Sequence, residues 1–90
     1  MTKEKVEPVN DEATSLSETN ELVLYNDDFN TFEFVIQSLI EVCHHQPEQA
    51  EQCTLIVHYK GKCAVKSGDF DQLDPLKQQL TDRGLTATIE

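Results

Sequence analysis

Leu22–Ile36 reads L-V-L-Y-N-D-D-F-N-T-F-E-F-V-I, and its character changes twice along its length. Leu22, Val23, Leu24 and Tyr25 form an apolar run of strand-favouring residues. Asn26, Asp27 and Asp28 then break the run; short polar side chains of this kind bond their own backbone and favour turns. Asn30 is a good helix N-cap, and Glu33 three residues later completes the pattern of a capping box. From Phe32 onward the apolar residues take helical spacing, at Phe32, Val35, Ile36 and Leu39. The stretch predicts strand, acidic turn and helix start. Two carboxylates and an amide fall where the backbone reverses beside an apolar surface, a suitable place to hold a small positive group.

Downstream, the first helix runs over Asn30–His44, with Val42 and Cys43 extending its inner side. Pro47 cannot continue it but suits the first turn of a new helix. That second helix is predicted over Pro47–Lys60: Glu48 and Glu51 lie near its start and Lys60 at its end, as the helix dipole prefers. Gly61 is a natural stop. Ala50, Cys53 and Val57 share one face, while Thr54 and His58, four residues apart, stack on one stripe with Val57 beside it. Lys62–Lys66 reads as a short strand and Ser67-Gly68-Asp69 as a turn.

A third helix follows over Phe70–Arg83, apolar at Phe70, Leu73, Leu76 and Leu80. Pro75 interrupts that period, and an interior proline costs about 3 kcal/mol. The sequence alternative is a helix that opens later, with Asp74 as N-cap and Pro75 in the first turn. Gly84 ends the helix and Leu85–Ile89 closes as a strand. The predicted fold is α+β, in the order β-α-α-β-α-β, with three helices packed on a three-stranded antiparallel sheet.

Upstream, residues 1–20 hold scattered apolar residues without period, among Pro8, Asn10, Ser15, Ser17, Thr19 and several acids. Such a segment cannot bury enough surface to offset its ordering entropy. The expectation is a disordered N-terminal extension over 1–20 and a core domain over 21–90. Ninety residues allow one domain. A net charge of −10 argues against nucleic acid and anionic membranes as partners, since both need a basic patch. No basic start leads into an apolar run, so no signal peptide is expected, and no apolar run approaches a membrane span. Cys43, Cys53 and Cys63 are odd in number and unpaired in spacing, which points to reduced thiols in a cytoplasmic protein.

Cys43, His44, His45, Cys53, His58 and Cys63 match no standard zinc spacing, so no metal or other cofactor is expected. A Cys-His-Asp hydrolase is a weaker reading still. No thiol falls at a helix N-terminus or beside a base, as an activated nucleophile requires, and the chain is not expected to be an enzyme.

Three segments together carry a resemblance: N-D-D-F at Asn26–Phe29, E-F-V-I at Glu33–Ile36 and V-H-Y-K-G-K at Val57–Lys62. They resemble the ClpS adaptors, which typically show V-N-D-D-Y/F-T-P-M-E-F-V followed by V-H-x-x-G. The resemblance covers about residues 21–90. It implies a protease adaptor that binds the N-terminal residue of an N-degron substrate and delivers it to an AAA+ unfoldase of the ClpA or ClpC type, working with ClpP. It further implies that Asn26, Asp27 and His58 contact the substrate's α-amine, with Asp28 supporting the turn. Asn30, Phe32, Val35, Thr54, Val57 and Leu85 would line a hydrophobic side-chain pocket. The chain departs from the family where Thr-Pro-Met is replaced by Asn30-Thr31-Phe32, the methionine position being the pocket gate. It also has Leu76, with Lys77 next to it, where a lysine often faces the unfoldase. The alternative function is a generic protein-interaction domain of this fold with an unrelated partner.

Elementary chemistry suits the implied role. A free α-amine has a pKa of about 7.7–8.0, so at neutral pH it is mostly ammonium. It presents three donors, which an aspartate, an amide oxygen and a neutral imidazole nitrogen can accept.

Overall fold

The strand β1 (Asn20–Tyr25) is the centre of the molecule, and a computed structural model describes residues 19–90 around it. Leu22, Val23 and Leu24 are all buried in it. The elements that follow are α1 (Phe32–Cys43), α2 (Pro47–Lys60), β2 (Lys62–Gly68), α3 (Phe70–Asp82) and β3 (Thr86–Ile89). Both outer strands pair with β1 in antiparallel fashion, giving the sheet order β2-β1-β3. This is the predicted β-α-α-β-α-β fold. The extension expected over 1–20 falls almost wholly outside the described residues; Asn20 itself already belongs to β1.

Leu22 and Leu24 pack into one core with Leu39 and Val42 of α1, Ala50 and Val57 of α2, and Leu73 and Leu80 of α3. The β1–β2 register shifts between Leu22 and Val23: Leu22 faces Lys66 while Val23 faces Ala64. Val65 is the extra residue of this bulge, and it is buried in the core. The bulge carries the pairing on to Gly68, so β2 is longer than the predicted Lys62–Lys66. His45 is buried at the α1–α2 corner, where its Nε2–H donates to the Val65 carbonyl at 2.6 Å.

Three helix boundaries differ from expectation. Thr31, not Asn30, caps α1: its hydroxyl accepts from the Phe34 N–H at 3.1 Å. Asn30 is occupied elsewhere, donating from Nδ2 to Asp27 Oδ2 and to the Gly84 carbonyl. Glu33 is therefore one residue too early for the predicted capping box. At the other end α1 stops at Cys43, and His44 takes a left-handed conformation with φ 60°.

The third difference is the end of α3, at Asp82 instead of Arg83; the helix starts at the predicted Phe70, not at the alternative Asp74, and keeps Pro75 in its interior. Asp69 caps it in a complete box: the carboxylate accepts from the Gln72 N–H at 2.8 Å, and Gln72 Oε1 accepts from the Asp69 N–H at 3.0 Å. Leu73, in the turn before the proline, is buried and adds to this. The carbonyl that Pro75 leaves without an N–H partner belongs to exposed Asp71, where water can reach it. Leu76 packs partly buried against the core. By contrast α2 has the predicted bounds, with Pro47 in its first turn and Gly61 left-handed at φ 97° after its last.

Candidate functional site

The backbone N–H of Asn26 donates to the Gly61 carbonyl at 2.9 Å. This bond holds the acidic turn after β1 against the corner between α2 and β2. It joins the two sequence motifs, since His58 and Val57 lie in the last turn of α2. Between the turn, the start of α1 and the inner stripe of α2 lies a cavity of about 290 Å³.

Every residue that the resemblance assigned to the site lines this cavity. Asn26, Asp27, Asp28 and His58 supply polar groups. Asn30, Phe32, Val35, Thr54, Val57 and Leu85 complete the remaining wall. Leu24, Tyr25 and Thr31 line it too and were not singled out. The local signal for all three was adjacency to the motif; which side chains border a hollow depends on register and helix entry, which adjacency does not reveal. Val57 and Leu85 are buried, Val35 is half-buried, and Thr54 is buried with its hydroxyl donating to the Ala50 carbonyl at 2.8 Å.

The Asp27 carboxylate organises the turn. Its Oδ1 accepts from the backbone N–H of Phe29 at 2.8 Å and of Asn30 at 2.9 Å. Its Oδ2 accepts from Asn30 Nδ2 at 2.8 Å. Partial burial pushes the carboxyl up, but the Asn30 side chain and the two backbone donors together hold it below the ordinary aspartate value. Asp27 is thus anionic at neutral pH, and Oδ2 keeps a lone pair for a further donor.

Two aromatic contacts fix the His58 ring from its sides. Phe32 meets it edge-to-face with ring centroids 5.0 Å apart, and Tyr59 does so at 4.8 Å. The cavity therefore combines an anion, an amide and an imidazole with an apolar wall. That arrangement suits a ligand with one cationic donor group and one apolar side chain.

The thiols lie apart from this chemistry. None of the three lines the cavity, and all are free. Burial pushes the Cys43 thiol up to about 11, against a smaller opposing effect of Lys66. Burial and the neighbouring Cys63 push Cys53 up to about 12. Neither is an activated nucleophile at neutral pH. Among the described residues, no three His, Cys, Asp or Glu side chains are grouped to hold a metal ion. No helix among them is long and apolar enough to cross a membrane.

A small α+β module with a single-side-chain-sized hollow, rimmed by acceptors, is the outline of a recognition domain rather than of a catalyst. Comparison with known proteins makes the class specific. The family model for the ATP-dependent Clp protease adaptor protein ClpS matches residues 15–88, and the chain belongs to that family of adaptors. Curated ClpS adapter proteins are similar in sequence. That of Thermosynechococcus vestitus is 35% identical over 66 residues, covering 72% of this chain and 70% of the relative. That of Neisseria meningitidis is 38% identical over 65 residues, covering 70% of this chain and 61% of the relative. That of Nitratidesulfovibrio vulgaris is 42% identical over 50 residues, covering 53% of this chain. The chain spans about half, 50%, of that relative's length. The structure of Agrobacterium tumefaciens ClpS2 bound to L-phenylalaninamide has the same fold, with a TM-score of 0.78 at 24% identity, covering 82% of this chain and 96% of that one.

Proposed function

We propose that this chain reads the N-terminal residue of N-degron substrates in the cavity beside β1 and passes them to a ClpA- or ClpC-type AAA+ unfoldase for degradation by ClpP. In this reading the α-ammonium of the substrate donates to Asn26, Asp27 and His58, while Asp28 supports the turn. The bulky first side chain enters beside Asn30, Phe32, Val35, Thr54, Val57 and Leu85. The protein works in the cytoplasm, where its three cysteines stay reduced.

One observation carries the reading: an anionic carboxylate, an amide and an imidazole share one small cavity with Val35, Val57 and Leu85. Ligand pockets run from about 300 Å³ upward, so a cavity of about 290 Å³ suits one side chain with its amine rather than a length of peptide. The ligand bound by the Agrobacterium ClpS2 neighbour gives further support, since phenylalaninamide pairs a free α-amine with an aromatic side chain. The excess of negative charge would also attract a cationic chain end. Residues 1–20 are read as an extension used in delivery, so their removal should impair handover to the unfoldase and leave peptide binding nearly intact.

The test is a panel of short fluorescent peptides that differ only in the first residue, followed by anisotropy. Free-amine peptides beginning with Phe, Tyr, Trp or Leu should bind, and N-acetylation should abolish their binding. Equal binding of free and acetylated peptides would remove the α-amine from the recognition and with it the proposed function.

A further inference from the structure

Asn30 touches both halves of the cavity at once. Its Nδ2 donates to Asp27 Oδ2 at 2.8 Å and to the Gly84 carbonyl at 3.1 Å. The amide has two donor hydrogens, and the two bonds use both. One end of this bridge is the carboxylate of the acidic turn. The other is the corner after α3, where Gly84 sits at φ 87° and is followed at once by the buried cavity residue Leu85.

That corner is held from a second side. Arg83 pairs through Nη2 with Glu41 Oε1 at 2.8 Å and donates from Nη1 to the buried Ser38 hydroxyl at 3.3 Å. The Leu85 N–H donates to the Leu80 carbonyl at 3.0 Å. The α1 contacts thus fix Arg83, while the Asn30 bridge is the link between Gly84 and the acidic turn. A planar amide with both hydrogens engaged can move neither end without losing a bond to the other.

We propose that Asn30 is a positioning residue that couples amine recognition at Asp27 to the side-chain wall at Leu85. This inference rests on the functional reading above. The strut fixes the distance between the cationic and apolar parts of an acceptable ligand, so it sets side-chain size preference as well as amine affinity. A residue that merely filled cavity volume would affect size preference alone.

The experiment combines hydrogen exchange on the ligand-free protein with peptide binding. In the wild type both Asn30 Nδ2 hydrogens should exchange slowly with solvent. In Asn30→Ala the Leu85 amide should exchange faster, by about tenfold, and the affinity ratio of Trp- to Leu-initiated peptides should shift by about threefold or more. Asn30→Thr keeps one donor on a shorter stem, able to reach Asp27 but not Gly84. It should speed Leu85 exchange as Asn30→Ala does, yet weaken free-amine peptides less.

Rapid exchange of the Asn30 side chain in the wild type, or unchanged Leu85 exchange and peptide ranking in both folded variants, overturns the strut. So does an Asn30→Ala protein that tightens only on the larger side chain while Leu85 exchange stays at the wild-type rate. A wild-type protein that binds no free-amine peptide overturns the functional reading instead, and is recognised as such because the exchange measurements need no ligand.

Discussion

The Phe32 ring stands edge-to-face against the His58 imidazole, with 5.0 Å between their centroids. This contact joins the first turn of α1 to the last turn of α2 across the cavity mouth. Phe32 is 38% exposed, so it sits at the rim rather than in the core. An aromatic pair of this geometry is worth about 0.5–1.5 kcal/mol beyond its buried area. Phe32→Ala removes both the rim and a lateral support of His58. It should change the ranking of Leu-, Phe- and Trp-initiated peptides and weaken all of them by up to about tenfold. Phe32→Met restores a flexible apolar rim and should change the ranking with less overall loss. Anisotropy on the peptide panel reads both effects, and an unchanged ranking in a folded Phe32→Ala protein would take Phe32 out of side-chain selection.

Pro75 is an internal test of α3. It deprives the Asp71 carbonyl of its helical partner, yet the helix continues to Asp82. Pro75→Ala restores that bond. It also frees the unfolded chain, so the gain should be smaller than the full proline penalty of about 3 kcal/mol, on the order of 1–2 kcal/mol. For a domain this small, each kcal/mol moves Tm by about 4–8 °C. Asp69→Ala should act in the opposite direction by about 1 kcal/mol, through loss of the capping box. A Pro75→Ala protein no more stable than the wild type would mean that the added freedom of the unfolded chain offsets the whole helix penalty.

How far these features were legible differs from one residue to the next. Pro47 and Gly61 each carry their own backbone constraint, so the ends of α2 could be read without knowing what packs on it. Asn30 and Thr31 are both able caps, and the choice between them is settled by a bond from Asn30 to Gly84, 54 residues away. No local pattern contains that information. For α3 the apolar period placed the start at Phe70, and the capping-box spacing of Asp69 and Gln72 decides for it over the later start that Pro75 offered. The grouping of the cavity residues was readable because each motif sits beside a chain reversal, and the Asn26–Gly61 bond brings the two reversals together. The bulge at Val65 and the contribution of Leu24 and Tyr25 to the cavity depend on strand register, which composition does not encode.

The cysteines should behave as core atoms. With Cys43 pushed from 9.0 up to about 11, its thiolate fraction near neutral pH falls by about a hundredfold, and Cys53 lies higher still. Iodoacetamide should therefore label these two far more slowly in the native protein than in urea. Cys43→Ser places a hydroxyl in an apolar site and should cost about 1–3 kcal/mol of stability, while peptide affinity in the folded protein stays near the wild-type value. Rapid native labelling of Cys43 would show that the α1 C-terminus opens readily.

Asp27 allows the sharpest test, because asparagine is not a conservative replacement for it. Two backbone donors, Phe29 N–H and Asn30 N–H, converge on Oδ1. In Asp27→Asn the amide oxygen must occupy that position, which leaves its NH2 where Oδ2 was. There it meets another donor, Asn30 Nδ2. Turning the Asn30 amide over would relieve the clash but set its oxygen against the Gly84 carbonyl. In either arrangement an incoming ammonium meets an NH2 group instead of a carboxylate. Loss of a hydrogen bond to a charged group costs about 1.5–3 kcal/mol, so Asp27→Asn should lose at least about tenfold in affinity for a Phe-initiated peptide, as much as Asp27→Ala. The pH dependence of stability has a defined sign. The folded carboxyl lies below its ordinary value, despite partial burial, because Asn30 and Phe29 donate to the anion. Its contribution is complete above the unfolded-state value and is lost as pH falls through the lower folded one. The stability gap between wild type and Asp27→Asn should therefore be full at neutral pH and close below about pH 4. Urea unfolding of both proteins at about pH 7 and pH 3, with anisotropy at neutral pH, measures the two effects. A gap that persists unchanged into acid would detach the turn's hydrogen bonds from the Asp27 charge, and near wild-type affinity in Asp27→Asn would exclude that charge from amine recognition.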